Sequence, residues 1–184
     1  MDAGYPSTFG EQEYNMDVGF NKKTVNSTEG RATPYMVDPL RVGAYQTISD
    51  AIDAIVADGA NTDSQLPALI LLSNNTHQIG SQLVLPPNIR ISGPTDTGFG
   101  YLQASRRSAI VEGTFLIDVE ADTGTNVYTL SDLELTTAST TESCITLSGT
   151  NGAPLVYLDG VTLDHNGGGT TATAFSASNT TTAA

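Results

Sequence analysis

The chain has 184 residues, enough for one domain or for one domain with an extended arm. It carries 7 Lys and Arg against 20 Asp and Glu, a net charge of −13, and no Lys or Arg follows Arg107. This balance argues against nonspecific binding to nucleic acid or to an anionic membrane surface, because both are themselves negatively charged. No stretch approaches the roughly 20 apolar residues that a membrane-spanning helix needs.

Residues 1–44 differ in character from the rest of the chain. Turn-forming residues are scattered through them, and several of their few apolar side chains are aromatic. Such a segment cannot bury enough apolar surface to fold alone, although aromatic residues are unusual in a purely solvated tail. We therefore predict an extended arm that becomes ordered against a partner surface. The alternative is a leader segment that has no partner.

Residues 47–59 predict the one clear helix. Thr47 is a suitable N-cap, and Asp50 at the third helical position gives a pattern close to a capping box. Gly59 is placed to end the helix in a left-handed conformation. The helix is expected to bury one apolar stripe at helical spacing, formed by Ile48, Ala51, Ile52, Ile55 and Val56.

Short apolar runs separated by turn residues predict strands in the remainder of the chain. The first four are residues 68–72, 82–85, 88–93 and 108–111. From residue 127 onwards the sequence repeats itself after 28 residues, so that Leu130 aligns with Leu158 and Leu135 with Leu163. A fixed period of this size indicates stacked units, because a single unit cannot bury its apolar face. The alternation within each unit is that of a strand, which predicts a coil of parallel β-structure.

The same register, extended towards both termini, predicts which side chains lie next to each other in neighbouring coils. Its further pairs are Ile117 with Ile145, Val119 with Leu147, Cys144 with Ala172, Leu147 with Phe175 and Ser148 with Ser176. Residues 166–184 contain no polar cap for the stack. We therefore expect either further coils beyond residue 184 or a partner subunit that covers this end.

Two segments resemble a known family. Residues 44–55, Ala-Tyr-Gln-Thr-Ile-Ser-Asp-Ala-Ile-Asp-Ala-Ile, resemble the first helix of the pectin-lyase-like superfamily. Residues 83–93, Leu-Val-Leu-Pro-Pro-Asn-Ile-Arg-Ile-Ser-Gly, resemble the coil that follows it in that family. The resemblance covers about residues 44–178 and implies a right-handed parallel β-helix whose N-terminal end is capped by the helix. The superfamily contains polysaccharide lyases and hydrolases, pectin methylesterases, adhesins, and phage spikes and fibres, so its function is not fixed by its fold.

The resulting prediction is an all-β fold, a right-handed parallel β-helix with one N-terminal capping helix and a preceding arm. We place the arm at residues 1–44, the capping helix at 45–60 and the coils at 61–184. The open end of such a stack exposes unpaired strand, and an amphipathic helix is a suitable cover for it.

Carboxylates are the first candidates for chemistry, because hydrolases of this kind use two of them about 5–10 Å apart. Glu134 and Asp164, diagonal neighbours in the 28-residue register, are the best pair. No carboxylate stacks directly on another in that register, where the neighbours are Asp118 with Thr146, Glu120 with Ser148, Asp122 with Thr150, Asp132 with Gly160 and Glu134 with Thr162. The alternation of a strand places these carboxylates on one exposed face whether or not they have a function. A solvated face is therefore a simpler interpretation than a catalytic site.

The other reactive side chains give no catalytic pattern. Cys144 is the single cysteine and is expected to fill a small buried space. His77 and His165 lack metal-ligand spacing, and we expect His165 at a surface turn. The lyases of the family that the chain resembles use a basic residue as proton abstractor, and no Lys or Arg follows Arg107 in the coils. Arg106 and Arg107 themselves could bind an anionic sugar, or they could simply be exposed in a polar loop. We therefore predict no catalytic residue, no cofactor and no metal site.

The arm, the capping helix and the polar coil faces together resemble the head-binding part of a viral fibre or spike. This implies a homotrimeric structural protein on the outer surface of the virion: a tail fibre, tailspike or head fibre. Residues 1–44 would attach to a capsid, portal or tail-adaptor protein, and the coils would project towards a host-surface glycan, without a nucleic-acid or membrane partner. The alternatives are a carbohydrate-active enzyme with catalytic coils beyond residue 184 and a cell-surface adhesin or surface-layer component.

Overall fold

The structure is a computed structural model that describes residues 34–80, 82–94, 109–118, 126–149, 154–168 and 173–178. This part of the chain is mainly β, with one helix, α1, over Ile48–Asp58. No helix within it combines the length and hydropathy of a membrane span. The strands in chain order are β1 Tyr35–Val37, β2 Ala68–Leu72, β3 Thr76–Gln78, β4 Leu83–Val84, β5 Ile89–Ser92, β6 Ala109–Glu112, β7 Phe115–Asp118, β8 Val127–Ser131, β9 Leu133–Thr137, β10 Ile145–Ser148, β11 Leu155–Asp159, β12 Thr162–His165 and β13 Phe175–Ser178.

The strands form three parallel sheets that the chain visits in rotation. Sheet A has the order β1-β2-β5-β8-β11, sheet B has β3-β6-β9-β12, and sheet C has β4-β7-β10-β13. Each strand from β2 to β10 pairs with the strand three places later in the chain. Parallel neighbours need a long crossover connection, and here the crossover is the passage through the other two sheets. The predicted all-β class with parallel pairing is thus confirmed.

Apolar side chains at alternate strand positions form columns inside the sheets. One column of sheet A runs through Tyr35, Ile70, Ile91, Leu130 and Leu158, which are direct partners in consecutive strands. The first four are at most 2% exposed, whereas Leu158 in β11 is 41% exposed. Each side chain in such a column is buried by the strands on both of its sides, and β11 has a paired neighbour on one side only among the described strands. The pairing of Leu130 with Leu158 confirms the 28-residue register at this point.

The helix has the start and the stop that the sequence predicts. The Thr47 hydroxyl accepts a hydrogen bond from the Asp50 N–H at 3.1 Å, and the Asp50 carboxylate accepts one from the Thr47 N–H at 3.2 Å, so the capping box is complete. Gly59 ends the helix with φ 65° and ψ 24°, a conformation that glycine adopts without steric cost. The Tyr35 hydroxyl donates to the Asp58 carboxylate at 3.2 Å and ties the last turn to β1.

The predicted apolar stripe of α1 is correct for four of its five residues. Ile48, Ala51, Ile52 and Ile55 join the core, and the helix packs against β1 and β2. Val56 is exposed, which corrects the prediction. Each residue turns the helix by about 100°, so Val56 lies roughly 80° away from Ile48 and falls at the margin of the buried face.

Residues from the predicted arm take part in sheet A. Tyr35–Val37 form β1, which pairs in parallel with Ile70, Leu71 and Leu72 of β2. Residues 1–33 lie outside the described residues. Strand β1 precedes α1 in the chain yet occupies the edge of the sheet next to β2, so a short segment from the N-terminal region can add to a free strand edge.

The 28-residue register is wrong in sheet C. There Phe115 pairs with Ile145 and Ile145 with Phe175, so that both offsets are 30 residues. Consequently Ile117 partners Leu147 rather than Ile145. The remaining corrected pairs are Leu147 with Ala177 instead of Phe175, Ser148 with Ser178 instead of Ser176, and Asp118 with Ser148 instead of Thr146.

The displacement arises in a connection. For the pair β10 and β13, the segment between β12 and β13 is two residues longer than the one between β9 and β10, while β9 and β12 keep the offset of 28. For the pair β7 and β10, the preceding strands β6 and β9 are offset by 24 residues, and, counted between paired residues, the passage from β9 to β10 is six residues longer than the one from β6 to β7. Two residues are one full period of a strand, so the apolar alternation is unchanged by the shift and does not reveal it. Cys144 accordingly lies level with Ala174, one position before the Ile145–Phe175 pair, and not with Ala172.

Two corners between sheets use residues with positive φ. Asp132, at φ 54°, is the one residue between β8 and β9, and Asn88, at φ 57°, directly precedes β5. Asn and Asp tolerate this left-handed region better than most residues. The Asn88 side chain also donates to the Asn61 carbonyl and accepts from the Val127 N–H, both at 3.1 Å. It thereby joins the loop after α1 to the start of β8.

Candidate functional site

The best carboxylate pair of the sequence lies on the outer face of sheet B. Glu134 is the direct partner of Thr162, as predicted, and Thr136 is the partner of Asp164. Glu134 and Asp164 are therefore diagonal neighbours on adjacent strands, and both are half-buried. The Asp164 carboxylate accepts a hydrogen bond from the Asn166 side-chain amide at 2.9 Å. The arrangement offers hydrogen-bond acceptors to a ligand on this face, next to threonine hydroxyls.

Other carboxylates are each paired in register with a residue that carries no negative charge. Asp118 lies beside Ser148, Glu112 beside Thr136, and Asp159 beside Ser131. The Glu112 carboxylate accepts a hydrogen bond from the Gln78 side chain. No group of three or more potential metal ligands occurs in the part of the chain that the structure describes. Glu120, Asp122, Arg106 and Arg107, which the sequence singled out, lie outside the described residues.

The two histidines lie in separate places and do not form a common site. His77 is buried in β3, where its Nε2 lies 3.0 Å from the Ser73 carbonyl and its Nδ1 has no hydrogen-bond partner among the described residues. His165 is the last residue of β12, is half-buried, and has Nε2 3.2 Å from the Glu142 carbonyl. This corrects the prediction of a surface turn for His165, because the strand continues up to it.

A shallow groove lies where the start of α1 meets β3 and β4. Its lining residues are Thr47, Ser49, Gln78, Ile79, Gly80 and Leu83. The Thr47 hydroxyl is engaged by the Asp50 N–H, and the Gln78 amide donates to Glu112. These two polar groups therefore already have hydrogen-bond partners within the protein, and we assign no ligand to the groove.

Cys144 fills a closed position in the interior, as the sequence predicts. The side chain is 0% exposed, and its thiol lies 3.6 Å from the Asp164 carbonyl. Burial raises the pKa of the Cys144 thiol, because the thiolate would lose its hydration, and the nearby Asp164 carboxylate acts in the same direction. The thiolate is the reactive form of cysteine, so this side chain is suited to packing and not to nucleophilic chemistry.

We expect the native protein to resist thiol labelling at pH 8. Incubation with a disulfide reagent such as Ellman's reagent should release less than roughly a tenth of the thiol equivalent that the same protein releases in denaturant, since both burial and the raised pKa suppress the thiolate. The Cys144→Ala variant is the blank for this assay. Rapid stoichiometric labelling under native conditions would contradict the closed position of Cys144.

The most distinctive surface is the far edge of the stack, which we call the distal edge and define as β11, β12 and β13. Within the described residues each of these strands is paired on one side only. Four large apolar side chains are exposed there: Leu155, Tyr157, Leu158 and Phe175. The sequence analysis pointed to this surface only through its expectation that residues 166–184 contain no polar cap, and residues 169–172 and 179–184 of that segment lie outside the described residues. Free strand edges with apolar side chains are suited to pairing with further β-structure.

Comparison with known proteins does not assign the chain to a family. No protein-family model, no curated protein and no solved structure shows a significant match to it.

Proposed function

We propose that the three stacked sheets are coils of a right-handed parallel β-helix of the pectin-lyase-like type, and that the protein is a virion structural protein. In this proposal it is a tail fibre, tailspike or head fibre that is attached through its N-terminal arm and projects its coils towards the host surface. The assembly is a homotrimer on the outside of the particle. The role of the coils is mechanical and adhesive.

The observation that carries the proposal is the rotation of the chain through three parallel sheets. Every strand from β2 to β10 is paired on one or both sides with a strand about one coil away, and apolar columns fill the interior. A stack of this kind transmits load along its length, because each layer is held by backbone hydrogen bonds to the next. The helix α1 covers β1 and β2 with an apolar stripe. The net charge of −13 favours a protein that stays soluble and does not adhere to nucleic acid.

The experiment that tests this function is localisation on purified particles. Antibodies against the coil region should label the outer surface of virions from cultures that carry this sequence, as seen by immunogold electron microscopy. A variant that lacks residues 1–33 keeps β1 and should be absent from particles while remaining in the soluble fraction. Particles that carry no label, or that incorporate the truncated protein normally, would contradict the proposal.

A carbohydrate-active enzyme is the second candidate, and the position of Glu134 and Asp164 on one outer face favours it. This candidate predicts depolymerisation of an acidic or neutral polysaccharide by the purified protein. Glu134→Gln and Asp164→Asn should each abolish turnover, whereas Glu112→Gln, on the same sheet, should leave it unchanged. Turnover with that dependence would replace the structural proposal for these residues.

A further inference from the structure

Two large apolar side chains project from the loop that joins β1 to α1. Leu40 is 81% exposed and Val42 is 98% exposed, more than any other large apolar side chain in the described part of the chain. They stand two positions apart within residues 38–43, which we call the β1–α1 loop. Single exposed apolar residues are ordinary on a protein surface, whereas neighbouring ones on one short loop indicate a contact surface.

The β1–α1 loop is held in one conformation by hydrogen bonds. The Gln46 side-chain nitrogen lies 3.2, 3.3 and 3.5 Å from three carbonyl oxygens within residues 38–44. The Asp38 carboxylate accepts hydrogen bonds from the Leu40 N–H at 3.0 Å and from the Asn75 side-chain amide at 3.2 Å. Because the loop is already ordered, burial of its apolar side chains in a contact costs little conformational entropy.

The groove where α1 meets β3 and β4 has the size of one such side chain. Its volume is about 170 Å³, and an apolar cavity of about 150 Å³ is large enough to bind benzene. The Thr47 hydroxyl and the Gln78 amide have partners within the protein, so the contact surface that remains is mainly that of Ile79 and Leu83, which are only partly buried. The groove can therefore take up one branched aliphatic side chain, such as that of Val42.

The side chain that fits the groove comes from another molecule. Val42 is 98% exposed, so almost none of its surface touches its own chain. The Asp38 N–H donates to the Tyr45 carbonyl at 2.9 Å, and the Tyr45 N–H donates to the Met36 carbonyl at 3.0 Å, which fixes both ends of the loop on β1. The loop therefore does not fold over onto the groove beside it, and a contact between the two requires two molecules.

Charge favours a second copy of this chain as the partner. Arg41 lies between the two apolar residues of the loop and is exposed. On the groove, the Asp50 carboxylate accepts from the Thr47 N–H at 3.2 Å and the Glu112 carboxylate accepts from Gln78, so two negative charges border it. The loop thus combines an apolar tip with a cation, and the groove combines an apolar floor with an acidic border. An anionic membrane surface is disfavoured as the partner, because the chain carries a net charge of −13.

We propose that the β1–α1 loop of one molecule docks on the groove of a second copy, with Val42 in the groove and Leu40 against its edge. Arg41 then faces the acidic border of the second copy's groove. The contact joins two different surfaces and is therefore of the kind that generates closed rings. Two side chains bury much less than the roughly 1,600 Å² of a standard interface, so the contact acts together with others in the assembly. The inference concerns self-association and does not rest on the proposed virion function.

Disulfide trapping between two full-length proteins tests the docking directly, because it also captures weak contacts. Isotope-labelled Cys144→Ala/Val42→Cys is mixed with unlabelled Cys144→Ala/Gly80→Cys and oxidised with diamide. A Cβ at Gly80 meets no described atom within 4 Å apart from those of its chain neighbours, so the new side chain fits. Mass spectrometry should show the mixed disulfide between positions 42 and 80 in at least roughly fivefold excess over the one formed with the control Cys144→Ala/Leu66→Cys. Leu66 is 55% exposed and lies in the loop that follows α1.

Sedimentation velocity on the full-length chain gives a second measurement. The wild type should self-associate as its concentration rises through the micromolar range. Val42→Asp places a carboxylate in an apolar groove with an acidic border and should weaken the association at least roughly tenfold in Kd. The matched control Leu66→Asp adds the same charge at another exposed aliphatic residue and should change Kd by less than about threefold.

Three results would overturn the proposal. The disulfide between positions 42 and 80 could form no more readily than the one between positions 42 and 66, in which case the loop does not dock on the groove. The wild type could stay monomeric at every concentration and give no mixed disulfide. Finally, Val42→Asp and Leu66→Asp could weaken the association equally, in which case the added charge acts and the groove does not.

Discussion

Replacement of Phe115 by alanine should lower the free energy of unfolding by about 3–5 kcal/mol, the usual cost of removing a buried aromatic side chain. Phe115 is 0% exposed and lies in sheet C beneath Ile145, which is also fully buried. The substitution leaves a cavity between two layers. The layers cannot move together to fill it, because each is held in place by backbone hydrogen bonds to its neighbours. Urea unfolding monitored by circular dichroism measures the loss as a shift of the midpoint.

The column itself provides the matched control. Phe175 is two strands further along the same column, paired with Ile145 from the other side, and is 41% exposed. Phe175→Ala removes the same atoms and should cost only about 1 kcal/mol, because much of this side chain is already in contact with water. Should Phe115→Ala fail to fold, Phe115→Leu is the milder substitution, with an expected cost of about 1–2 kcal/mol. Equal losses at Phe115 and Phe175 would contradict the layered burial.

The pairing of Phe115, Ile145 and Phe175 also indicates what the sequence can and cannot predict. The strict alternation of apolar residues predicted strands and parallel stacking, and the Leu130–Leu158 pair is where the repeat placed it. Register in sheet C was missed by two residues, because the length of a connection does not affect the alternation that a sequence displays. The capping box and the αL glycine of α1 were predictable because both are local.

Features that depend on tertiary context were the ones that the sequence did not predict. Strand β3 was missed, since Thr76, His77 and Gln78 include no apolar residue and the inward position is occupied by histidine. In the sequence, the exposed side chains of β11 look like those of any strand. Only the pairing of the strands shows that β11 has a neighbour on one side, β8, and none on the other among the described residues. The diagonal placement of Glu134 and Asp164 was predictable because it lies where the 28-residue register holds. Whether such a pair acts on a ligand depends on the shape around it, which no spacing encodes.

Replacement of Gly93 by alanine should be as damaging as the loss of a core aromatic residue. A Cβ atom at this position would lie 1.9 Å from the Asp132 carbonyl oxygen and 2.9 Å from its carbonyl carbon. The obstacle is backbone, so no side-chain rotation relieves it. We expect a loss of about 3 kcal/mol or more in the free energy of unfolding, measured by the same urea titration.

The reason for this cost lies in the way the corner is built. The Gly93 N–H donates to the Ser131 carbonyl at 2.8 Å, and the Asp132 N–H donates to the Asp159 carbonyl at 2.9 Å, so three successive layers are joined at one corner. Moving Asp132 away from a new Cβ breaks one of these hydrogen bonds or forces Asp132 out of its left-handed conformation. Gly80→Ala is the control, because a Cβ at that position would have no described atom within 4 Å apart from those of its chain neighbours. This control should change stability by no more than about 0.5 kcal/mol. A Gly93→Ala variant as stable as Gly80→Ala would mean that Gly93 does not lie against the Asp132 backbone. It would therefore contradict the way in which the layers meet at this corner between sheets A and B.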